Sequence, residues 1–339
     1  MELKIPSQLL TSRGPLQAMS FPAALAAFLL LLPVVLPYEA LAAQILVYTL
    51  FSLGYNLLFG YTGLLSFGHA AFFGMGSYTA GLLAREITAN VLWTLPAAIG
   101  VGAVGGAVVG FFCLRRRGDY FSLMTLAFGQ LLYFIAHQWR EVTGGDDGLR
   151  GIPVAHVQVG PWAYALESSR DVYVLLALLT FGAFLGFRRL LRSPFGTALQ
   201  AIRENELRAE AVGYDTFRLK LWAFVLSAAM SSAAGALNVY LLKFAGLNSL
   251  HWTTSGYAVL ITILGGAGTL LGPLVGALAF VGLQDVLSAL PAIVDRWPFF
   301  VGLLFIVCVL VFPHGIWGTV EQLQARFRRH APALGSSEG

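Results

Sequence analysis

Few residues of this chain could do chemistry, and their spacing rules most of it out. Inside its long apolar runs the titratable side chains are chiefly His69, His137 and Asp285. Such groups are costly in apolar surroundings and often mark a proton or ion path. His69 stands alone among glycines, where a hydrogen bond between helices is favoured over a proton relay. His137 ends its run just before Gln138-Trp139-Arg140 and reads as interfacial. Asp285 falls in the outer third of its run and reads as structural, snorkelling or paired with a neighbour. Polar residues available to line a path are Asn56, Thr62, Ser66, His69, Ser77, Tyr78, Thr79, Gln130, Ser231, Asn238 and Thr262.

Other chemistries fail at the level of motif. The three lysines, Lys4, Lys220 and Lys243, each follow a leucine, so no Gly-Lys-Ser/Thr phosphate loop exists. There is no Gly-x-Ser-x-Gly elbow, no His-Glu-x-x-His pair and no Cys-x-x-Cys. Cys113 and Cys308 lie in apolar runs and read as small hydrophobes. Asp146 and Asp147 hint at a cation. Their segment lacks the alternating oxygen ligands and closing glutamate of a calcium loop, so a turn-rich external loop is favoured and no metal site is expected.

What positions these residues is a membrane domain. Charged residues make up 11% of the chain and hydrophobic ones 57%, against about 25% charged in a soluble domain. The mean hydropathy is +0.74 and the pI about 9.1. The basic residues sit at the ends of apolar runs, so they report orientation rather than nucleic-acid binding. Lys4 and Arg13 precede an apolar run, and Ala40-Leu41-Ala42 resembles a cleavage site. A signal peptide is one reading. An uncleaved first span is favoured, because a second span follows at once.

A span needs about 20 apolar residues. The candidates are 21–37, 41–59, 62–84, 91–114, 119–137, 171–188, 218–242, 253–271, 273–290 and 297–313. The predicted fold is thus an all-α polytopic membrane protein of about ten transmembrane or half-membrane helices. Gly60-Tyr-Thr-Gly63 and Gly265-Gly-Ala-Gly268, the latter followed by Gly272-Pro273, are places where helices could break inside the membrane. With the N-terminus inside, 15 of the 21 basic residues fall on inner segments, which favours both termini inside. The expected division is an inner N-terminal segment 1–20, a membrane domain 21–318, and a tail 319–339. In the tail Val320, Leu323 and Phe327 would rest on the inner leaflet, and 331–339 would be disordered.

Two hydrophilic segments interrupt the spans, 138–170 outside and 189–217 inside. Within the inner one, Ser193 caps a helix with Pro194 at its first position, and Gly213 stops it. Residues 194–212 would form one helix of roughly 28 Å. Its apolar stripe is incomplete, so it either rests on the membrane surface or docks a partner on the inner side.

The block from Gly60 to Leu83 is apolar yet dense in glycine. Glycine costs helix stability, so this density points to close helix packing or to backbone broken beside a cavity. As a path, Asn56, Thr62, Gly63, Ser66 and His69 would offer polar groups beside Leu64, Leu65 and Phe67. Backbone N–H groups freed by a break at Gly60–Gly63 could then face a carboxylate. As packing, Gly68, Gly74 and Gly76 would join helices without touching a solute.

Several stretches resemble the permease subunits of branched-chain amino-acid ABC transporters, of the LivM type. They include Gly54-Tyr-Asn-Leu-Leu-Phe-Gly-Tyr-Thr-Gly, Ser66-Phe-Gly-His-Ala-Ala-Phe and Thr143-Gly-Gly-Asp-Asp-Gly-Leu-Arg-Gly-Ile-Pro. Others are Ser193-Pro-Phe-Gly, Ala201-Ile-Arg-Glu-Asn-Glu, Tyr214-Asp-Thr-Phe-Arg-Leu-Lys and Gly265-Gly-Ala-Gly-Thr-Leu-Leu-Gly-Pro. The resemblance implies half of a heterodimeric importer for leucine, isoleucine and valine in the bacterial inner membrane. Its partners would be a LivH-type permease, two ATP-binding subunits that use ATP and magnesium, and a periplasmic binding protein. This chain would hold no cofactor and act as no enzyme. The inner helix would become a coupling helix, with Ser193, Pro194, Gly196, Ala201, Arg203, Glu204, Glu206 and Gly213 facing the ATPase. Asp146, Asp147 and Arg150 would dock the binding protein. The sister permeases for urea or short amides share the glycine-rich blocks and the Arg-Glu-Asn-Glu helix. A stand-alone channel or ion-coupled carrier is the alternative of another class, and the scarcity of intramembrane acids weighs against it.

Overall fold

The computed structural model describes residues 15–116, 118–289, 299–300, 302–303, 306, 310 and 315–321. The apolar runs fold as α1 (Pro15–Val35), α2 (Glu39–Thr62), α3 (His69–Glu86), α4 (Val91–Cys113) and α5 (Asp119–Gln138), followed by the single turn α6 (Arg140–Thr143). A hairpin of β1 (His156–Val159) and β2 (Trp162–Ala165) leads to α7 (Ser169–Leu191). Then come α8 (Pro194–Glu204), α9 (Glu206–Ala211), α10 (Thr216–Leu242), α11 (Trp252–Gly265) and α12 (Gly272–Ser288). Among the described residues α2, α4, α5, α7 and α10 are long and apolar enough to cross a bilayer. The molecule is an all-helical polytopic body carrying one small β-hairpin, which the all-α expectation did not include.

The tenth expected span, 297–313, lies largely outside the described residues, as do most of the N-terminal segment and the tail beyond 321. Three other spans need correcting. The run 62–84 does not start at 62: α2 stops at Thr62 because Gly63 turns left-handed, with φ +77°, and α3 begins only at His69. The runs 253–271 and 273–290 shorten to 14 and 17 residues. Gly266 (φ +120°) and Gly268 (φ +83°) hold a non-helical link between them. These positive φ values are accessible to glycine without the Cβ penalty.

α10 is the central post. It is built largely from small residues, including Ala223, Ser227, Ala228, Ser231, Ser232, Ala234, Gly235 and Ala236, all buried. Its neighbours meet it through glycine. A Cβ on Gly54 of α2 would come 2.7 Å from Met230 Cβ, and one on Gly76 of α3 would come 1.9 Å from the Ser232 carbonyl oxygen. On α4, Cβ atoms at Gly102 and Gly106 would come 2.3 Å and 2.5 Å from the β-carbons of Ser232 and Ala228. Lipid tails are as apolar as leucine, so such close backbone approach, rather than expulsion of apolar groups from water, holds membrane helices together. Ser77 Oγ adds a hydrogen bond to the Gly235 carbonyl at 2.9 Å. We expect Gly76→Val to destabilise the body by about 3 kcal/mol, the upper end for overpacking. Gly100, with nothing within 4 Å of a Cβ, should gain about 0.5–1 kcal/mol on replacement by alanine. Denaturant unfolding in detergent reads both.

The two ends of the bundle are distinct. At one, the hairpin end, His156 N–H donates to the Ala89 carbonyl, Leu149 exchanges backbone hydrogen bonds with Ala245, and Tyr38 hydroxyl donates to Asp285. The other, the α8 end, gathers the links 63–68 and 266–271 with α8 and α9. The Tyr38 contact makes Asp285 a pairing group near the end of α12, as the sequence favoured.

Candidate functional site

The Gly63–Gly68 link runs from an exposed Gly63 to a buried Gly68, and most of its backbone donors are taken by protein. Ser66 N–H donates to Tyr55 hydroxyl at 3.3 Å, Phe67 N–H to Thr125 Oγ1 at 3.2 Å, and Ala70 N–H to Ser255 Oγ at 2.7 Å. Ser122 Oγ donates to the Leu65 carbonyl at 2.6 Å. The break was expected, and most of the N–H groups it frees are held by side chains from other helices. A helix broken in apolar surroundings must satisfy its backbone internally, and here side chains of α2, α5 and α11 do so.

Ser66 and His69 are both 0% exposed. The two ring nitrogens of His69 lie 2.8 Å from Ser66 Oγ and 2.8 Å from Ser227 Oγ. A neutral imidazole has one donor and one acceptor, and a hydroxyl can match either. Tyr55, Phe72 and Phe224 surround the ring edge-to-face, with centroids at 5.0, 5.5 and 5.5 Å. His69 thus joins α3 to α10 by the helix-to-helix hydrogen bond that the sequence favoured. Thr62 hydroxyl donates to the Leu58 carbonyl in its own helix.

Asn56, 1% exposed, reaches from α2 to the second link. Its Nδ2 donates to the Thr269 carbonyl at 2.8 Å, and its Oδ1 accepts from Gly268 N–H at 2.9 Å. Arg203 of α8 donates from Nη1 to the Gly60 carbonyl. Burial lowers the Arg203 pKa from its ordinary value, yet a guanidinium stays protonated in proteins. Arg203 thus stays exposed as a residue while its guanidinium reaches back to the end of α2.

The α8 region differs from the single helix expected. Asn205 breaks it at φ −162° and ψ 103°, and its side chain accepts from Arg208 N–H at 2.9 Å to start α9. Asparagine competes for backbone hydrogen bonds and favours caps over helix interiors, and Glu206 just after it suits a first turn. That was the signal available in Arg-Glu-Asn-Glu. Ser193 precedes Pro194 as expected but caps nothing with its side chain; its Oγ donates to the Leu190 carbonyl at 2.6 Å. Gly196 packs where a Cβ would come 2.4 Å from the Leu191 carbonyl oxygen, so it allows the tight turn from α7 into α8. Gly213, at φ +99°, ends the segment.

α8 buries Gly196, Ala198, Leu199 and Ile202 and touches α2, α7 and α10. Ala201 is half-buried and Glu204 exposed. Glu206 pairs with Lys220 of α10 at 2.6 Å, and Glu210 accepts from Thr216 hydroxyl at 2.9 Å. Among the exposed charged residues of this end, Arg208, Glu210 and Asp215 included, three large apolar side chains also stand open: Leu207 is 66% and Val212 75% exposed, and Tyr214 joins them.

At the hairpin end Asp146 and Asp147 lie on an exposed turn. His137 Nδ1 is 3.0 Å from Asp146, and Arg150 is 3.8 Å from Asp147. Leu149 and Ile152, on either side of Arg150, are buried, so the loop is anchored while its charges face outward. Sequence reasoning missed the hairpin, whose Val159, Trp162 and Tyr164 are exposed. Gly160-Pro161 between two short runs was its turn signal. Asn90 fixes it to α4, donating to the Gln158 carbonyl at 3.1 Å while accepting from Leu92 N–H at 3.1 Å. Among the described residues no group of three His, Cys, Asp or Glu could hold a metal ion.

Residues 38–310 match the family described as the branched-chain amino acid transport system / permease component. The chain is 30% identical over 272 residues to the LivM permease of Salmonella typhimurium, covering 73% of this chain and 63% of that protein. It is 26% identical over 280 residues to a probable LivM of Methanocaldococcus jannaschii, covering 71% and 78% of the two chains. It is 25% identical over 299 residues to LivH of Escherichia coli K12, covering 81% and 92%. The match to the Salmonella LivM thus spans less than two thirds of that relative's length. No solved structure matches the chain. A family match that runs from the start of α2 past the end of α12 takes in both links, Arg203 and the Lys220 pair, and the chain belongs to the branched-chain amino acid permease component family.

Proposed function

We propose that this chain is a membrane-spanning subunit of an ABC importer and forms half of the path for leucine, isoleucine and valine. The observation that carries the reading is the likeness to LivM and LivH permeases over 73% and 81% of the chain. The geometry supports it at the α8 end, where a helix pair rooted in the body presents Leu207, Val212 and Tyr214 to a partner. In this reading the basic α8 end faces the cytoplasm, as the distribution of arginine favours, with both termini on that side. Residues 21–318 form the permease domain between the inner segment 1–20 and the tail 319–339. A LivH-type subunit completes the path, two ATP-binding subunits dock on α8 and α9 and use ATP and magnesium, and a periplasmic binding protein meets Asp146, Asp147, Arg150 and the hairpin. This chain holds no cofactor and hydrolyses nothing.

Asn56, Thr62, Gly63, Ser66 and His69 stand beside the path in a closed arrangement. A cysteine at Ser66 is expected to resist a small aqueous thiol reagent in the resting complex; fast labelling there would show an open path at this block. The function is tested by reconstituting the chain with its partners in vesicles and following labelled leucine, isoleucine, valine and urea. Uptake of the three amino acids that needs both ATP and the binding protein is the expected result. Uptake of urea alone would overturn the substrate, and uptake without ATP would overturn the importer.

A further inference from the structure

Four residues from three separate elements are in continuous contact where α8 meets the two broken links. α2 ends at Thr62, so the Gly60 carbonyl is among the last ones that its own helix leaves without a partner. Leu64 N–H returns to the Leu58 carbonyl and Gly63 N–H to the Phe59 carbonyl. The Gly60 carbonyl is taken by Arg203 Nη1. One turn back along α2, Asn56 grips Gly268 N–H and the Thr269 carbonyl. The spaces between are closed. A Cβ on Gly60 would come 2.0 Å from Asn56 Oδ1 and 2.5 Å from Gly268 N, and one on Gly268 would come 2.6 Å from Arg203 Nη1.

We propose that Arg203 is a positioning residue which, through Gly60, Gly268 and Asn56, latches α8 to both broken links, so that displacement of α8 moves them together. This rests on the reading of α8 and α9 as the docking site of an ATPase subunit. The remaining attachment of α8 to the body is apolar, through Leu199 and Ile202, and such contacts resist separation better than sliding. The guanidinium bond is directional. Its charge also lies in the last turn of α8 and against the last turn of α2, two helix ends that both carry partial negative charge. Losing it leaves those ends facing each other with the Gly60 carbonyl unpaired. Within the links Gly63, Gly266 and Gly268 hold positive φ values that a residue with a Cβ would adopt only with strain.

The test uses the assembled transporter in vesicles, with ATP hydrolysis and leucine uptake measured on the same preparation. Arg203→Gln is expected to assemble and hydrolyse ATP, with leucine molecules moved per ATP falling at least tenfold. Arg203→Lys keeps a cation near the carbonyl and is expected to lose only two- to fivefold. A merely structural Arg203 would lower hydrolysis and uptake together through lost assembly, and an unchanged ratio in Arg203→Gln overturns the latch. If Arg203→Gln fails to assemble, Arg203→Lys carries the test, and a wild-type ratio there overturns it. Crosslinking of Leu207→Cys to the ATPase subunit separates the two ideas. No crosslink sinks the docking reading beneath the latch, whereas a crosslink with a normal ratio in Arg203→Gln sinks the latch alone.

Discussion

Replacing Leu207 with aspartate is expected to abolish ATP-driven uptake by the assembled transporter while leaving the membrane body folded. Leu207 is the second residue of α9 and 66% exposed, so the body loses little packing. Aspartate in a first helical turn is favourable besides. What changes is the face offered to a partner. A carboxylate pressed into an apolar pocket without a counter-charge costs at least about 2 kcal/mol, the scale of an interface hot spot. That corresponds to at least roughly a 30-fold loss of ATPase affinity. Co-purification of the ATP-binding subunits measures it directly. Val212→Asp on the same exposed surface should act in the same sense, and Glu204→Gln should do little. Wild-type recovery of the ATPase by the Leu207 variant would move the docking surface away from α9.

How far the sequence reached can be read from where it failed. The apolar runs placed nine helices because a membrane helix satisfies its own backbone, and length plus hydropathy then suffice. The break after Gly60 was legible in the glycines. The occupants of its backbone donors were not, since Tyr55, Thr125 and Ser255 come from helices up to 185 residues away, and no local pattern encodes such pairing. His69 was correctly weighed as a link between helices, but Ser227 as its partner was visible only in the fold. Arg203 shows the opposite limit. An arginine on a surface helix reads as solvated or partner-facing, and only the approach of Gly60 and Gly268, both without a side chain, lets its guanidinium reach the end of α2. Asn205 was readable in principle, as a capping residue in the middle of a run that a uniform helical pattern had absorbed. The hairpin was hidden by its shortness, four residues in each strand.

The sequence placed Glu206 toward the ATPase and gave no sign of its partner within this chain, Lys220. In the fold Glu206 faces α10, and the Lys220 side chain is 5% exposed against 25% for Glu206. Lys220 lies at the start of the helix against which α2, α3 and α4 all pack, so its ammonium cannot escape to water without disturbing that post. Truncation to Glu206→Ala should therefore cost about 3–5 kcal/mol, the range for stranding one member of a buried ion pair. Lys220→Met alone removes the buried charge and leaves the better-exposed carboxylate, and should cost less. The double variant Lys220→Met with Glu206→Gln should recover most of the loss, because an apolar side chain of similar volume beside a neutral partner carries no desolvation penalty. Denaturant unfolding of the three variants in one detergent decides the matter. Equal losses in all three would mean that the ion pair is incidental and that the packing of the Lys220 stem is what α9 depends on.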